Sequence, residues 1–490
     1  MVDVAVVDVG TAAVKAALVD SAGRVRARAV ETHPTDRPRP GWVEQDPRHW
    51  WDAVVRALRA TVPPAHDLGA LVVTGQMQDL VAVDDDGPLR PAILYTDHRA
   101  VAEHEGLRAR LGADWERVTR NAQDSANLAA KLRWLLLNEP EVHERARHVL
   151  LGAHSYVVWR ATGHALCDAT TASTTGLFDA RARGWWEEPL RAAGVRADLL
   201  PELIGGPGTD RPRPLAPGPA RELGLSAGLP VVHAPGDALT TTLGITGGRS
   251  GADYAYLGTS GWLAAVVGRA PKVPGTVRLA AEGETELLIA PTLNAGSAAD
   301  WARRALLGDP GHAAFDEALR GVGAATHGLI ALPYLDGERA PHADPFARGA
   351  FVGMTGSTTG AQLAVAVLEG VAFVYRTLRE AVVGTAAAGP LPVCGGASRS
   401  DVWCSLLANA LGVEVQRVED ADTGLRGAHR YASGVLGTDT PELTEEEPRT
   451  VFAPDPETAV DYERAYALHR ELYPRLSPVM TGLAAPAVAG

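Results

Sequence analysis

Short apolar runs that stop at polar residues recur along the chain, and they predict buried strands carrying functional groups at their ends. Val4-Ala5-Val6-Val7 stops at Asp8, turns at Gly10-Thr11 and resumes from Val14 to Val19, which is the pattern of a β-hairpin. Leu71-Val72-Val73 reads as a buried strand; Thr74 to Asp79 follow it, with Met77 and Gln78 among them, and a further strand covers Leu80 to Val83. Pro91 to Arg99 repeats the arrangement and leaves Tyr95, Thr96 and Asp97 at its end. Val231-Val232-His233 runs through Pro235-Gly236 to Asp237, at the head of a helix-compatible segment. Helical periodicity marks Pro47 to about Ala60, Asn127 to Asn138, Gln362 to Leu378, Asp401 to Leu411 and Glu457 to about Tyr473. Gly205 to Pro219, rich in Pro and Gly, reads as an ordered surface loop.

The first hairpin has a counterpart. Tyr254-Ala255-Tyr256-Leu257 stops at Gly258-Thr259-Ser260-Gly261 and resumes from Trp262 to Val267, about half a chain later. The repetition predicts an α/β protein of duplicated architecture, with domains at 1–245 and 246–476 and a flexible tail at 477–490. Two such domains facing each other would bring both Gly-Thr tips to one cleft, the geometry of a nucleotide clamp. Glycine turns expose backbone N–H groups, and threonine adds a hydroxyl. Asp237 then has two readings: a cap for its helix, or a carboxylate overlooking a phosphate site. Gly395-Gly396 join a strand to the helix from Asp401, where a backbone can approach a planar base or a phosphate.

Composition narrows the classes. A formal charge of −13 over 490 residues argues against nucleic-acid and anionic-membrane partners, which need clustered Lys and Arg. Cys167, Cys394 and Cys404 lack metal-ligand spacing and cannot all pair, which points to a reducing compartment. With no signal-like start and no apolar run of the ~18 residues needed to cross a bilayer, a cytoplasmic location is expected. Asp84-Asp85-Asp86-Gly87 reads as a hairpin turn and not a metal site. His98 with His104, and His143 with His148, lack the spacing of a zinc hydrolase, and no Gly-x-x-x-x-Gly-Lys-Ser/Thr occurs.

One stretch is more specific. Gly349-Ala350-Phe351-Val352-Gly353-Met354, followed after seven residues by Gln362-Leu363 and then Ala366-Val367-Leu368-Glu369, resembles the C-terminal signature of the FGGY family of carbohydrate kinases. Lys131 to Leu135 meet the other family signature in part, since Leu128 and Leu137 stand where small or polar residues are usual. Asp8 to Thr11, Gly41 to Pro47, Gly236-Asp237, Gly258 to Gly261, Gly337 to Arg339, Gly395-Gly396 and Leu472 to Pro474 support the resemblance along nearly the whole chain.

It implies two actin-like, ribonuclease-H-type domains flanking an ATP and sugar cleft, the first binding sugar and the second nucleotide. The implied reaction moves the γ-phosphate of ATP to a sugar hydroxyl with Mg²⁺. Asp237 would be the catalytic base, with Asp8 and Asp237 at the metal. Gly10, Thr11, Gly258 and Thr259 would cradle phosphates, Gly395 and Gly396 would receive adenosine, and Met77, Gln78, Tyr95, Asp97 and Trp262 would line the sugar pocket. Within the family the similarity is greatest to members acting on xylulose, a ketopentose, and next to those acting on gluconate, through Ala172 to Phe178. Three departures touch the sugar pocket: Gln78 where histidine is typical, Ala238 where asparagine is common, and Tyr95 where tryptophan is frequent. The alternatives are a kinase for a sugar acid or polyol, a non-catalytic sugar or nucleotide sensor, and an actin-like ATPase with no small acceptor. The expected partner is a small sugar; a homodimer is compatible with the sequence.

Overall fold

A computed structural model describes residues 3–205, 210–268, 271–322, 328–384, 387, 389–419, 422–438 and 449–484. The chain forms two compact units. Unit 1 comprises Met1–Gly248, Arg278–Leu287 and Ala421–Thr444; unit 2 comprises Arg249–Val277, Leu288–Asp420 and Glu445–Gly490. The first crossover therefore falls three residues after the predicted boundary, but two later segments return to unit 1, which a single cut near residue 245 does not anticipate.

The duplication is plain in the strand order. In unit 1, Asp3–Val9 and Ala13–Val19 pair antiparallel, Leu68–Gly75 lies parallel to the first of them, Pro230–His233 lies parallel to Leu68–Gly75, and Arg213–Pro214 closes the edge antiparallel. Unit 2 repeats this with Asp253–Leu257 and Gly261–Val267, then Leu391–Cys394 and Val415–Val418 in parallel, then Arg449–Phe452 antiparallel at the edge. The parallel strands are apolar on both faces, as strands covered by helices must be. Thus Val72 and Val73, and Leu391, Pro392 and Val393, are buried.

In unit 1 the helix Pro47–Thr61 starts where predicted, with Asp46 accepting the Arg48 N–H at 2.9 Å and Pro47 in the first turn, where no helical donor is lost. It buries Trp50, Ala53, Val54 and Leu58 against the sheet. A second core gathers Leu80, Trp115, Leu132 and Phe178 beside it. The helix Thr423–Leu436 is the far-sequence segment that returns to unit 1, and it packs on Asp237–Thr246. The two backbones touch through glycines: a Cβ on Gly427 would lie 1.7 Å from the Thr240 carbonyl oxygen, and one on Gly244 1.9 Å from that of Thr423.

Unit 2 is built on the helix Gly360–Val382, opened by a capping box between Thr359 and Gln362. Among the described residues it is the one helix long and apolar enough to cross a membrane, with a mean hydropathy of 1.4 over its best window. That corrects the expectation that no apolar stretch reaches such length. Most of it, 72% of that window, is buried in the protein, and Phe373, Tyr375 and Leu378 sit in the core of unit 2. Two further differences concern surface segments. The predicted loop from Gly205 contains the strand Arg213–Pro214 and the helix Pro217–Leu223, while 206–209 lie outside the described residues. The predicted tail begins as helix: Ala459–Ala484 continues through Pro474 and Pro478, and 485–490 lie outside the described residues.

Candidate active site

In unit 1 the strand Pro230–His233 delivers the chain to the Pro235-Gly236 turn, which Thr74 fixes by donating its hydroxyl to the Pro235 carbonyl at 2.6 Å. Gly236 is the cap residue of the next helix and Asp237 its first helical residue. Among the described residues, the half-buried Asp237 carboxylate makes no hydrogen bond to another side chain. Burial, together with the neighbouring Asp8 charge, raises its pKa to about 7 against the opposing pull of His154.

Asp8 stands at the end of the first strand, paired across the hairpin with Lys15. Burial raises its pKa while the Lys15 and His154 charges hold it down, and its Oδ1 has no hydrogen-bond partner among the described residues. The turn beyond it closes when the Gly10 N–H donates to the Ala13 carbonyl at 3.1 Å. Thr11 Oγ1 lies 3.5 Å from the Tyr95 hydroxyl. Gly424, at the head of the returning helix, leaves room beside Asp8: a Cβ there would be 3.5 Å from Asp8 Oδ2 and 3.6 Å from Thr241 Oγ1.

Met77 packs on the turn before Asp237, because a Cβ on Gly236 would fall 2.1 Å from its Cγ and Sδ. Gln78 has φ +66°, a left-handed conformation uncommon outside glycine. Its amide donates to Asn127 Oδ1 at 3.3 Å, and Asn127 donates to Gln123 Oε1 at 2.6 Å. Tyr95 is exposed, and its backbone N–H donates to Asp79 Oδ1 at 3.1 Å. Asp79 is sealed, and burial raises its pKa against the nearby Lys131 ammonium, whose own pKa burial lowers.

Against Gly236 lies a buried polar brace. Thr171 Oγ1, 3.1 Å from where a Gly236 Cβ would be, donates to Asp168 Oδ2 at 2.7 Å. His154 places Nδ1 3.1 Å from the Gln76 carbonyl and Nε2 3.2 Å from Asp168 Oδ2. Burial pushes the Asp168 pKa up, but the His154 hydrogen bond and charge and the Thr171 N–H outweigh it and bring it to about 2. His233, pushed down to about 3 by burial and the His154 charge, meets Ser155 Oγ at 3.0 Å. These ligand-type atoms lie within 4.8 Å of one another. Hydrogen bonds already engage both nitrogens of His154 and both oxygens of Asp168, so the cluster is read as an ion-paired brace.

Unit 2 holds a cavity of 480 Å³ lined by Gly258, Thr259, Gly296, Phe315, Gly396 and Trp403 among others. The Gly258 carbonyl accepts the Gly296 N–H at 2.8 Å and the Thr259 carbonyl accepts the Ser297 N–H at 2.9 Å, tying the hairpin tip to the head of the helix Gly296–Leu307. A side chain at Gly296 would collide with the Gly258 carbonyl, 2.5 Å away.

Residues 4–244 match the N-terminal domain of the FGGY carbohydrate kinases and residues 254–433 their C-terminal domain. The chain belongs to the FGGY family of carbohydrate kinases. It is a phosphotransferase with an alcohol group as acceptor. It is 32% identical to the xylulose kinase of Escherichia coli (strain K12), over 97% of this chain and 99% of that one. The solved structure of ligand-bound xylulose kinase from Lactobacillus acidophilus superposes with a TM-score of 0.86 at 26% identity, covering 99% of this chain and 100% of that one. The gluconate kinase from Lactobacillus acidophilus also gives 0.86 at 26%, covering 98% and 100%. The α/β, two-domain actin-like fold is shared with these kinases.

Most of the residues predicted for this FGGY kinase fall into two groups, one in each unit. Asp8, Gly10, Thr11, Met77, Gln78, Tyr95 and Asp237 lie at strand ends and turns of unit 1, and Gly258, Thr259 and Gly396 line the unit 2 cavity. Gly395 does not line it: with φ +100° and a Cβ position 2.5 Å from the Leu257 carbonyl, it shapes the turn instead. Trp262 stacks on Tyr256 with ring centres 3.9 Å apart.

Asp97 needs correcting as a sugar-pocket wall. It is fully buried, both its oxygens bind Arg99, and Oδ2 also accepts the Val43 N–H at 2.6 Å. The Arg99 guanidinium in turn lies 3.8 Å over the Trp42 ring. Asp97 is thus a buried strut. Sequence reading missed the Asn127 link, the Asp79–Lys131 pair and the His154–Asp168 brace, because each joins residues distant in sequence. A lysine buried amid a leucine stripe was the one signal available, at Lys131.

Proposed function

We propose that this FGGY kinase transfers the γ-phosphate of ATP to a hydroxyl of a small sugar, a ketopentose such as xylulose. The observation that carries the reading is the half-buried Asp237 carboxylate, hydrogen-bonded by no other side chain among the described residues and with a pKa near 7, next to an Asp8 oxygen that has no partner among the described residues. Its free lone pairs suit it to take the proton from the attacking sugar hydroxyl. Phosphoryl transfer asks little else of the protein than positioning and charge neutralisation.

A buried carboxylate oxygen with no donor suits a cation, so Asp8 and Asp237 fit Mg²⁺. Such an ion, when bound, offsets charge on the phosphate oxygens. Gly10, Thr11, Gly258 and Thr259 would offer donors to phosphates. Gly396, which has no atom within 4 Å of its Cβ position, leaves open space for adenosine. Met77, Gln78 and Tyr95 would hold the sugar, with Trp262 as a further contact. The similarity to xylulose kinases supports a ketopentose. The equal fold match to a gluconate kinase favours a sugar acid as the second reading. None of Met77, Gln78, Tyr95 and Asn127 is cationic, which favours the neutral sugar.

The direct test is ADP release with D-xylulose, gluconate, glycerol and no acceptor. Turnover confined to xylulose supports the proposal, and hydrolysis indifferent to every sugar defeats it. Two predictions sharpen it. Because proton acceptance needs the carboxylate form, kcat/KM for the sugar should fall about tenfold per pH unit below about 7. A rate flat between pH 6 and 8 would remove Asp237 as the base.

Gln78→His should change the ratio of kcat/KM values across a ketose, polyol and sugar-acid panel. Histidine tolerates the left-handed backbone at this position, so the change exchanges the side chain that bonds Asn127 without forcing the turn to move. An unchanged ratio would clear Gln78 of any part in sugar choice.

A further inference from the structure

Gln78 sits at the end of a chain of amides in unit 1, and the far end of that chain fixes its direction. Gln123 Nε2 lies 2.9 Å from the Thr119 hydroxyl and 2.9 Å from the Asn121 carbonyl. A carbonyl has no hydrogen, and Thr119 commits its own to the Trp115 carbonyl at 2.7 Å. Both partners are therefore acceptors, and the group that faces them must be the NH2 of Gln123. Gln123 Oε1 is left to receive Asn127, which donates from Nδ2 at 2.6 Å. Asn127 then has only Oδ1 for Gln78, and Gln78 Nε2 donates to it at 3.3 Å. The relay runs one way and ties Gln78 by its nitrogen, while Gln78 Oε1 has no partner among the described residues. Asn127 is buried and is the cap residue of the helix Leu128–Asn138, where asparagine ordinarily accepts a first-turn N–H, yet its side chain makes no cap bond. A favoured cap is thus diverted to the relay. The absence of a side chain at Gly176 makes room for it: a Cβ there would lie 2.5 Å from Gln123 Oε1.

A free glutamine amide can turn either end to a ligand, and the relay removes that choice. We infer that Asn127 and Gln123 are specificity-determining residues, which leave the Gln78 oxygen as its free end and so select neutral, hydroxyl-bearing sugars against sugar acids. The inference rests on the reading of Gln78 as a sugar contact. A sugar hydroxyl donates to that oxygen; a carboxylate has only acceptors and is repelled by it. Neither Asn127 nor Gln123 needs to touch the sugar. An acceptor left facing a like group costs enough to separate the two substrates by at least about tenfold.

The test is initial-rate kinetics of the full chain at saturating ATP with D-xylulose, D-gluconate and glycerol. Wild type should show a kcat/KM for xylulose at least about tenfold above that for gluconate. Asn127→Leu, of similar shape, offers Gln78 no acceptor, so the amide turns freely. The xylulose-to-gluconate ratio should then fall about three- to tenfold, carried mostly by KM, because Gln78 binds and does not react. Asn127→Asp presents only acceptor oxygens to Gln78 whichever way it turns, and should keep the wild-type ratio although its bond to Gln123 is lost. Gln123→Leu frees Asn127 to turn and should lower the ratio part of the way. Equal use of both sugars by the wild type overturns the inference, as does an unchanged ratio in Asn127→Leu. So does a ratio in Asn127→Asp that falls as far as in Asn127→Leu, since lost packing alone would lower both. If Asn127→Leu does not fold, judged by circular dichroism, an unchanged ratio in Gln123→Leu overturns it. Phosphorylation of glycerol but not xylulose removes the ketopentose reading alone, and the glycerol-to-gluconate ratio in the same variants then decides the inference. Turnover of no acceptor removes the kinase reading and the inference with it.

Discussion

Asp237→Asn should lower kcat by about 10²- to 10⁴-fold, the range contributed by a positioned general base, and leave sugar affinity largely intact. The carboxamide has nearly the same shape, and no side-chain hydrogen bond to Asp237 is lost with the charge. Stability separates this from damage to the fold. The folded-state pKa of about 7 lies above the ordinary carboxylate value, so the group's contribution to stability is greatest at low pH and is lost as pH rises through about 7. Above that pH the native state carries a charge that burial and Asp8 disfavour. The variant should therefore melt no lower than wild type at pH 8. Near-normal turnover would remove Asp237 from the chemistry; a large fall in Tm would show that it holds the fold together instead.

Asp168→Ala should have the largest effect on stability. The carboxylate is buried, with hydrogen bonds from the Thr171 N–H and hydroxyl and from His154. Its removal leaves His154 facing an apolar methyl group, and breaking one side of a buried ion pair costs about 3–5 kcal/mol. For a unit of this size that is a fall in Tm of roughly 10 °C. The pH dependence runs opposite to that of Asp237. The folded-state pKa of about 2 lies below the unfolded carboxylate value, so the stabilisation is present above about pH 4 and is lost as pH falls toward 2. The gap between wild type and variant should be widest near neutral pH and close in acid. A melting temperature within a degree of wild type at pH 7 would mean that the brace carries no weight.

The two predictions concern groups of unequal visibility in the sequence. Asp237 could be found because the features that place it are local: an apolar run, Pro235-Gly236, and a helix. Asp8 and the two Gly-Thr tips were legible for the same reason, since a hairpin is written within about twenty residues. Asp168 and His154 are fourteen residues apart on different elements, and no periodicity joins them. Asp97 had the same local signature as Asp237, a polar residue at the end of an apolar run, yet it is a strut. The difference is Arg99 and Trp42, which close over it.

The sequence by itself determined the duplicated hairpins, the alternation of buried strands and helices, and the family, because each is carried by short-range pattern and motif. Tertiary structure alone decided which of the polar strand ends stay open. It also decided that residues 421–444 return to unit 1, where Gly427 meets Thr240 and Gly424 leaves room beside Asp8. The physical reason is that the protonation and availability of a carboxylate depend on what is packed around it. Those neighbours are set by contacts between segments far apart in the chain, which hydrophobic spacing does not encode.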